Sequence, residues 1–276
     1  MKILYRNFIK LLSFGAFDTA GSVEPMSEYK WNKLLLVAKT FNAQDFISNG
    51  ICKAYKADEK SIPSRIHETA QGYITGTPTT ADKKAGKITN TYHGKEKKFA
   101  NPLLSRKYNN LVFDEIHSID TSIESLMFMN KLIDNINTIL NSCINFKTLA
   151  ELGSYLRESG DKIDFVKIDK WIKALRIRKL CDLIGHYLIL VFGFEAEELP
   201  FIKSPEDKQL SKVSLNLEHY LQGQHQSVRI EQERPGNLNP VSRPNTHPMK
   251  YFSYHPIETS SRMVANIVKS LSNIDE

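Results

Sequence analysis

Asn110-Leu111-Val112-Phe113-Asp114-Glu115 sets two adjacent carboxylates after an apolar run, the pattern that holds magnesium in nucleotide hydrolases when the run is a buried strand. Upstream, Ala81-Asp82-Lys83-Lys84-Ala85-Gly86-Lys87-Ile88 comes close to a phosphate loop. Such a loop needs a hydroxyl directly after its lysine to reach the metal, and Ile88 has none. The motif counts only in a strand–turn–helix setting; no buried strand precedes this loop and no periodic helix follows it. Asp114 and Glu115 fall instead inside a 3.6-residue periodicity, and the helix it predicts would point both to solvent. His117, with Asp114, Glu115 and Asp120 close by, could form one corner of a metal site, but a solvated helix end is the commoner meaning of such a group. Asp114, Glu115 and His117 are therefore the candidates the chain offers for catalysis, without a complete motif around them.

A second partial pattern is Leu152-Gly153-Ser154 followed by Asp161, Asp164 and Asp169. Polymerase-beta-type nucleotidyltransferases place Gly-Ser on a turn, then a closely spaced pair of carboxylates that share two metal ions across the phosphates. Asp164 stands at a suitable distance, but Phe165-Val166 follows where the second carboxylate belongs, and Gly153-Ser154 falls mid-helix. A helix end and an N-cap explain these residues better.

None of the histidines at 67, 93, 117, 186, 219, 225, 247 and 255 pairs with another at i, i+4. His186, on an apolar helix, reads as a hydrogen-bonded core residue rather than an acid or base. Cys52, Cys143 and Cys181 are odd in number and far apart; two lie in apolar helical contexts, where a thiol acts as a small hydrophobe. Neither a disulfide framework nor a zinc site follows, and the reducing cytosol is the simplest setting. No cofactor is implied by these groups, and Mg2+ enters only if the carboxylates are catalytic.

These residues need elements to position them. The 276 residues, 41% hydrophobic and 25% charged with a formal net charge of +6, have the composition of an ordinary globular chain. The charge permits weak contact with anionic partners without calling for nucleic acid. Much of it sits in two polar stretches. One holds Lys83, Lys84, Lys87, Lys95, Lys97 and Lys98 and the other runs from Arg229 to Lys250; both are candidates for binding an acidic partner. The N-terminal Met1–Arg6 mimics the start of a signal peptide, but Lys10 and Asp18 interrupt it. The apolar run from Leu183 to Phe194 is too short to cross a bilayer core of ~30 Å. A cytoplasmic protein without a transmembrane segment is the expectation.

The fold expected is mainly α, an irregular multi-helix bundle of about nine or ten helices. Residues 1–57 read as three short helices, with stripes at Leu4, Phe8, Leu11 and Leu12, at Trp31, Leu34, Leu35 and Ala38, and at Phe46, Ile47, Ile51 and Tyr55. Ser27 is placed to cap the second. Residues 58–100 read as a polar, lysine-rich excursion, allowing a small β-element at Tyr73-Ile74-Thr75 or Ile88-Thr89-Asn90. Residues 101–221 form the central helical core. It opens at Asn101-Pro102, a first turn that suits proline. Thr121-Ser122-Ile123-Glu124 matches a capping box, Gly160 and Gly193 are placed to close helices, and Asp164 to open one. Ser204-Pro205-Glu206-Asp207 begins a helix carrying Leu210, Val213, Leu217 and Leu221. Residues 222–250 read as a linker, and 251–276 as a last helix led in by Tyr251-Phe252-Ser253-Tyr254. One composite domain is expected to hold all of these.

Phe8-Ile9-Lys10-Leu11-Leu12 and Trp31-Asn32-Lys33-Leu34-Leu35-Leu36-Val37-Ala38 resemble the N-terminal helices of the bacterial uncharacterised nucleotidyltransferase family. Leu149-Ala150-Glu151-Leu152 through Asp164 and Trp171 resembles its later helices. Phe192-Gly193-Phe194-Glu195-Ala196-Glu197-Glu198-Leu199-Pro200-Phe201 and the ending Tyr251-Phe252-Ser253-Tyr254-His255-Pro256 are similar to its other characteristic steps. The likeness covers about half the chain and rests on structural residues. It implies a relative of a transferase in which the strand-borne carboxylate pair is reduced or lost. The expected function is that of a non-catalytic, nucleotidyltransferase-like protein that binds a partner. One rival is a metal-dependent nucleotidyltransferase built from Asp114, Glu115 and His117, with lysines from 83–98 around the phosphates. Another is a peripheral membrane or polymer-binding accessory using the last helix, with Arg262 and Lys269 on its polar face.

Overall fold

The structure, a computed structural model, describes residues 2–17, 19–76, 99–141, 144–203, 207–232 and 251–272, with side chains except at 76, 220, 222–232 and 268–272. Eleven α-helices occur among the described residues, and no strand. The first four are α1 (Ile3–Ala16), α2 (Glu28–Thr40), α3 (Gln44–Ala57) and α4 (Ser64–Gly76). Then come α5 (Pro102–Ile116), α6 (Ile123–Asn141), α7 (Phe146–Ser159), α8 (Phe165–Leu175) and α9 (Arg178–Phe192), and finally α10 (Asp207–Gln232) and α11 (Pro256–Ser272). The mainly α reading holds. No helix among the described residues is long and apolar enough to cross a membrane.

The helices group into two compact units. One comprises Met1–Thr91, Tyr187–Phe194 and Glu206–Asn239, the other Tyr92–His186, Glu195–Pro205 and Pro240–Glu276. In the first, Phe8, Leu11, Leu12, Trp31, Leu34, Ile47 and Ile51 are fully buried, on the stripes their spacing predicts. The crossing of α1 and α3 depends on a feature that periodicity does not show. A Cβ on Gly50 would lie 2.0 Å from the Leu11 carbonyl oxygen, and one on Gly15 1.7 Å from that of Phe46. Paired glycines let the two backbones touch. Asn7 ties the incoming loop to α1 by donating to the Glu24 carbonyl (2.7 Å) and accepting from the Glu24 N–H (3.0 Å).

The segment allowed as a β-element at Tyr73-Ile74-Thr75 lies inside α4; its alternative at 88–90 lies outside the described residues. Ile66 and Ala70, buried at an i, i+4 spacing, give α4 an inward face, and His67 stacks on Tyr55 with centroids 4.0 Å apart. α10 buries Val213, Leu217 and Leu221 and runs on to Gln232, past the start expected for a linker at 222.

In the second unit α6 buries Leu126, Met129, Ile133, Ile136 and Leu140, each worth roughly 1.5–3 kcal/mol of transfer from water. Asp164 caps α8 as expected, accepting from Val166 and Lys167 N–H at 3.0 Å each. α8 ends at Arg176 in the left-handed region (φ 59°); in the first unit, Gly193 follows α9 at φ 66°. Three capping expectations change, one of them in the first unit, where Ser27 stands before α2 without a side-chain capping hydrogen bond. Gly160 follows the last residue of α7 as expected, but it is right-handed (φ −59°) and leads into a 3-10 turn, Gly160–Lys162. At α6 the cap falls on Ser122, whose Oγ accepts from Ser125 N–H at 3.3 Å. Thr121 Oγ donates backwards to the Glu115 and Ser118 carbonyls, so the Thr121–Glu124 box does not form.

Candidate functional site at the turn between α5 and α6

The Asn101 side chain starts α5 by accepting from Leu103 and Leu104 N–H, with Pro102 in the first turn. From there the helical phase is set by Tyr108 and Val112, both buried, and it carries Glu115 to the same side. The expectation that both acids face solvent is corrected for Glu115, which is 7% exposed. Ile116 takes the solvent side instead, 42% exposed. A buried carboxylate needs a cation or donors to offset lost hydration, and Glu115 has both. Lys167 Nζ lies 2.9 Å from Oε1, and the same oxygen accepts from Ser122 N–H at 2.8 Å. The ammonium also donates to the Asp120 carbonyl and sits 3.5 Å from the Asp120 carboxylate. Its pKa is raised above the ordinary lysine value, chiefly by the hydrogen bond to Glu115.

Asp114, next in sequence, stays exposed. His117 closes α5 with Nδ1 2.7 Å from the Phe113 carbonyl oxygen, so that this nitrogen carries the proton, and its ring packs 4.1 Å from that of Phe113. The three candidates thus have separate tasks: Asp114 in solvent, Glu115 turned inward onto Lys167, and His117 folded back on its own helix. Among the described residues no three His, Cys, Asp or Glu side chains cluster as a metal would require. The binding candidates Lys83, Lys84, Lys87, Lys95, Lys97 and Lys98 lie outside the described residues, as do the side chains from Arg229 to Lys250. Gly153 and Ser154 are mid-helix in α7, Asp161 is exposed on the 3-10 turn, and Asp169 is drawn into ion pairs with Lys173 and Arg178. Lys173 and Arg178 together hold the Asp169 carboxyl below its usual range.

Beside these polar groups the turn also exposes apolar ones. Ile119 is fully exposed, Phe113 62%, Ile123 55% and Met127 40%. Val166, at the start of α8 beside Lys167, is 67% exposed. Three contacts bind these segments into one frame: Glu115–Lys167, Ser125 Oγ accepting from Asp164 N–H at 2.8 Å, and the Phe128 and Phe165 rings at 5.9 Å. Close to the same helices, Tyr108, Leu111, Val112, Leu126, Met129 and Trp171 line a shallow dimple without room for a water molecule.

A second polar cluster went unread in the sequence. Glu258 on α11 is fully buried and accepts from Ala100 N–H (2.7 Å) and Asn101 N–H (2.9 Å). Arg262, one turn on, pairs with it at 2.9 Å and donates to the Asn137 and Asn141 side chains of α6. Burial pulls the Arg262 guanidinium below its ordinary value, and Glu258 opposes that. His255 Nδ1 accepts from Glu258 N–H at 3.1 Å and caps α11. Arg262 is therefore a core residue and not part of the solvent-facing polar side of α11. The i, i+4 spacing of Glu258 and Arg262 was the available signal. His186 is buried as expected, yet its Nε2 has no hydrogen-bond partner among the described residues, and burial lowers its pKa.

No protein-family model, curated protein or solved structure matches the chain.

Proposed function

We propose that this chain works by binding a partner protein at the α5–α6 turn, as a non-catalytic relative of nucleotidyltransferases. One observation carries the binding: Phe113, Ile119, Ile123 and Met127 stand in solvent within a short stretch of chain. Single exposed apolar residues are ordinary, but several together mark interaction surfaces. The frame beneath them supports this reading. Glu115, Lys167, Ser122 and Thr121 hold the connection by ion pair and hydrogen bonds, which lowers the cost of ordering a surface on binding. The relation to nucleotidyltransferases rests on the resemblance of the helical stretches, and a cytoplasmic setting rests on three scattered cysteines. The same reading needs no cofactor.

The test compares the chain with an Ile119→Asp/Ile123→Asp variant in quantitative pull-downs. A partner held by the parent and released by the variant supports the proposal. Magnesium-dependent nucleotide binding in calorimetry, abolished by Asp114→Asn, overturns it and favours the transferase built on Asp114, Glu115 and His117.

A second reading has its own observation. α11 exposes Ile257 (49%), Val264 (61%) and Ile267 (56%), apolar residues that an accessory protein lying on a membrane or polymer would insert. Flotation with anionic vesicles, with and without Val264→Asp/Ile267→Asp, tests it.

A further inference from the structure

We infer that the partner taken up at the α5–α6 turn is a basic amphipathic helix, an inference that rests on the partner-binding reading. From Tyr108 to Asn130 the chain carries Asp114, Glu115, Asp120 and Glu124 and neither lysine nor arginine. Elsewhere it is rich in both, with 37 in all and a net charge of +6. The acidity is thus local and opposite in sign to the whole. Lys167 is the cation paired with these acids, while Lys131 lies over the ring of Tyr155, whose hydroxyl donates to the Glu124 carbonyl. The Lys167 charge is taken up by Glu115 at 2.9 Å, with Asp120 at 3.5 Å. Asp114 is exposed, and the Asp120 side chain, although 3.5 Å from Lys167, is 94% exposed, so both can be reached by an incoming cation.

The apolar and acidic groups alternate around one turn. Phe113 precedes Asp114, Ile119 precedes Asp120, and Ile123 precedes Glu124. A partner that fills such a surface must bring apolar anchors and a basic border together. Both arms of the hairpin are helices whose backbone groups bond internally, which leaves no strand edge for an extended peptide to join. Anchors at i, i+3, i+4 and i+7 on a helix are the matching presentation, and lysine or arginine beside them supplies the complementary charge that steers encounter and fixes orientation.

Three designed helical peptides test this by fluorescence anisotropy against the full chain. They share one leucine face and differ in having a lysine, glutamine or glutamate polar face. The lysine peptide should bind at least tenfold more tightly than the glutamate peptide and lose affinity as salt rises. Ile119→Asp/Ile123→Asp should abolish that binding. Asp114→Lys/Asp120→Lys/Glu124→Lys should invert the ranking while circular dichroism keeps its helical signal. If all three peptides bind alike and still depend on Ile119 and Ile123, the docking surface stands and the basic partner is wrong. If no peptide's binding responds to the Ile119/Ile123 variant, both fail. Self-association in sedimentation that the same variant abolishes would make the occupant a second copy, and vesicle binding that it abolishes would make it a lipid surface. Either result overturns the inference.

Discussion

α5 is held at each end by a buried glutamate paired with a cation, and the two ends are built differently. At its start, Glu258 and Arg262 are 0% and 8% exposed, and the carboxylate grips two backbone N–H groups ahead of the helix. At its finish, Glu115 pairs with a lysine whose side chain is 19% exposed and grips one N–H in a connection that also carries apolar side chains in water. The first arrangement fastens α11 to α5 and α6, and its ion pair is closed to solvent. The second uses the same chemistry to stiffen a turn whose apolar residues remain available. One lock serves the fold, and the other holds a surface.

The comparison breaks most readily at Glu258. Replacing it with glutamine strands Arg262 as a buried charge, a change that costs on the order of 3–5 kcal/mol. Urea unfolding should show that loss, and a variant within 1 kcal/mol of the parent, as is usual for surface changes of about ±0.5 kcal/mol, would remove the distinction. Glu115→Gln should lower the unfolding midpoint by clearly less, because water reaches Lys167 and the glutamine oxygen can still accept from Ser122 N–H. Equal losses from the two substitutions would mean that the ends are equivalent.

Alkaline pH sharpens the difference. The folded Lys167 pKa is raised above its unfolded value. Its stabilisation is therefore whole below the unfolded value of about 10.4 and disappears as pH rises through the folded one. A Lys167→Arg variant keeps its charge throughout. Unfolding midpoints measured across this range should converge on the neutral side and separate in the variant's favour above it; parallel curves would show that the pair contributes nothing. At the acid side His186, whose pKa burial lowers, should cost stability as pH falls from about 6.5 toward its folded value. His186→Gln should flatten that limb of the curve. The smallest effect belongs to Ile119→Asp, which alters a fully exposed side chain and should leave the melting temperature unchanged.

The helices were legible in the residues where their cause is local. Trp31 and Leu34, or Ile168 and Ile172, repeat at helical spacing and are buried accordingly. Asp164 and Asn101 cap the turns that immediately follow them. What escaped depends on groups distant in the chain. Glu115 lies near the edge of α5's apolar stripe, and its inward turn is stabilised by Lys167, which is 52 residues away. Glu258 acts on backbone more than 150 residues before it. Gly15 and Gly50 look like poor helix residues until α1 and α3 cross at them. The β-element at Tyr73 failed because Ile66 and Ala70 give α4 a helical stripe that the surrounding polar composition obscured. Asp114, Glu115 and His117 were singled out for a catalytic role, while Ile119 and Met127 beyond them carried no signal, because exposure of an apolar side chain is set by packing and not by spacing.

The most direct measurement pairs denaturant unfolding with partner capture on the Ile119→Asp/Ile123→Asp chain. A surface that contributes to binding and not to the fold predicts an unchanged unfolding midpoint together with loss of the captured protein. Undiminished capture by a fully folded variant would contradict the assignment of this turn as a docking surface.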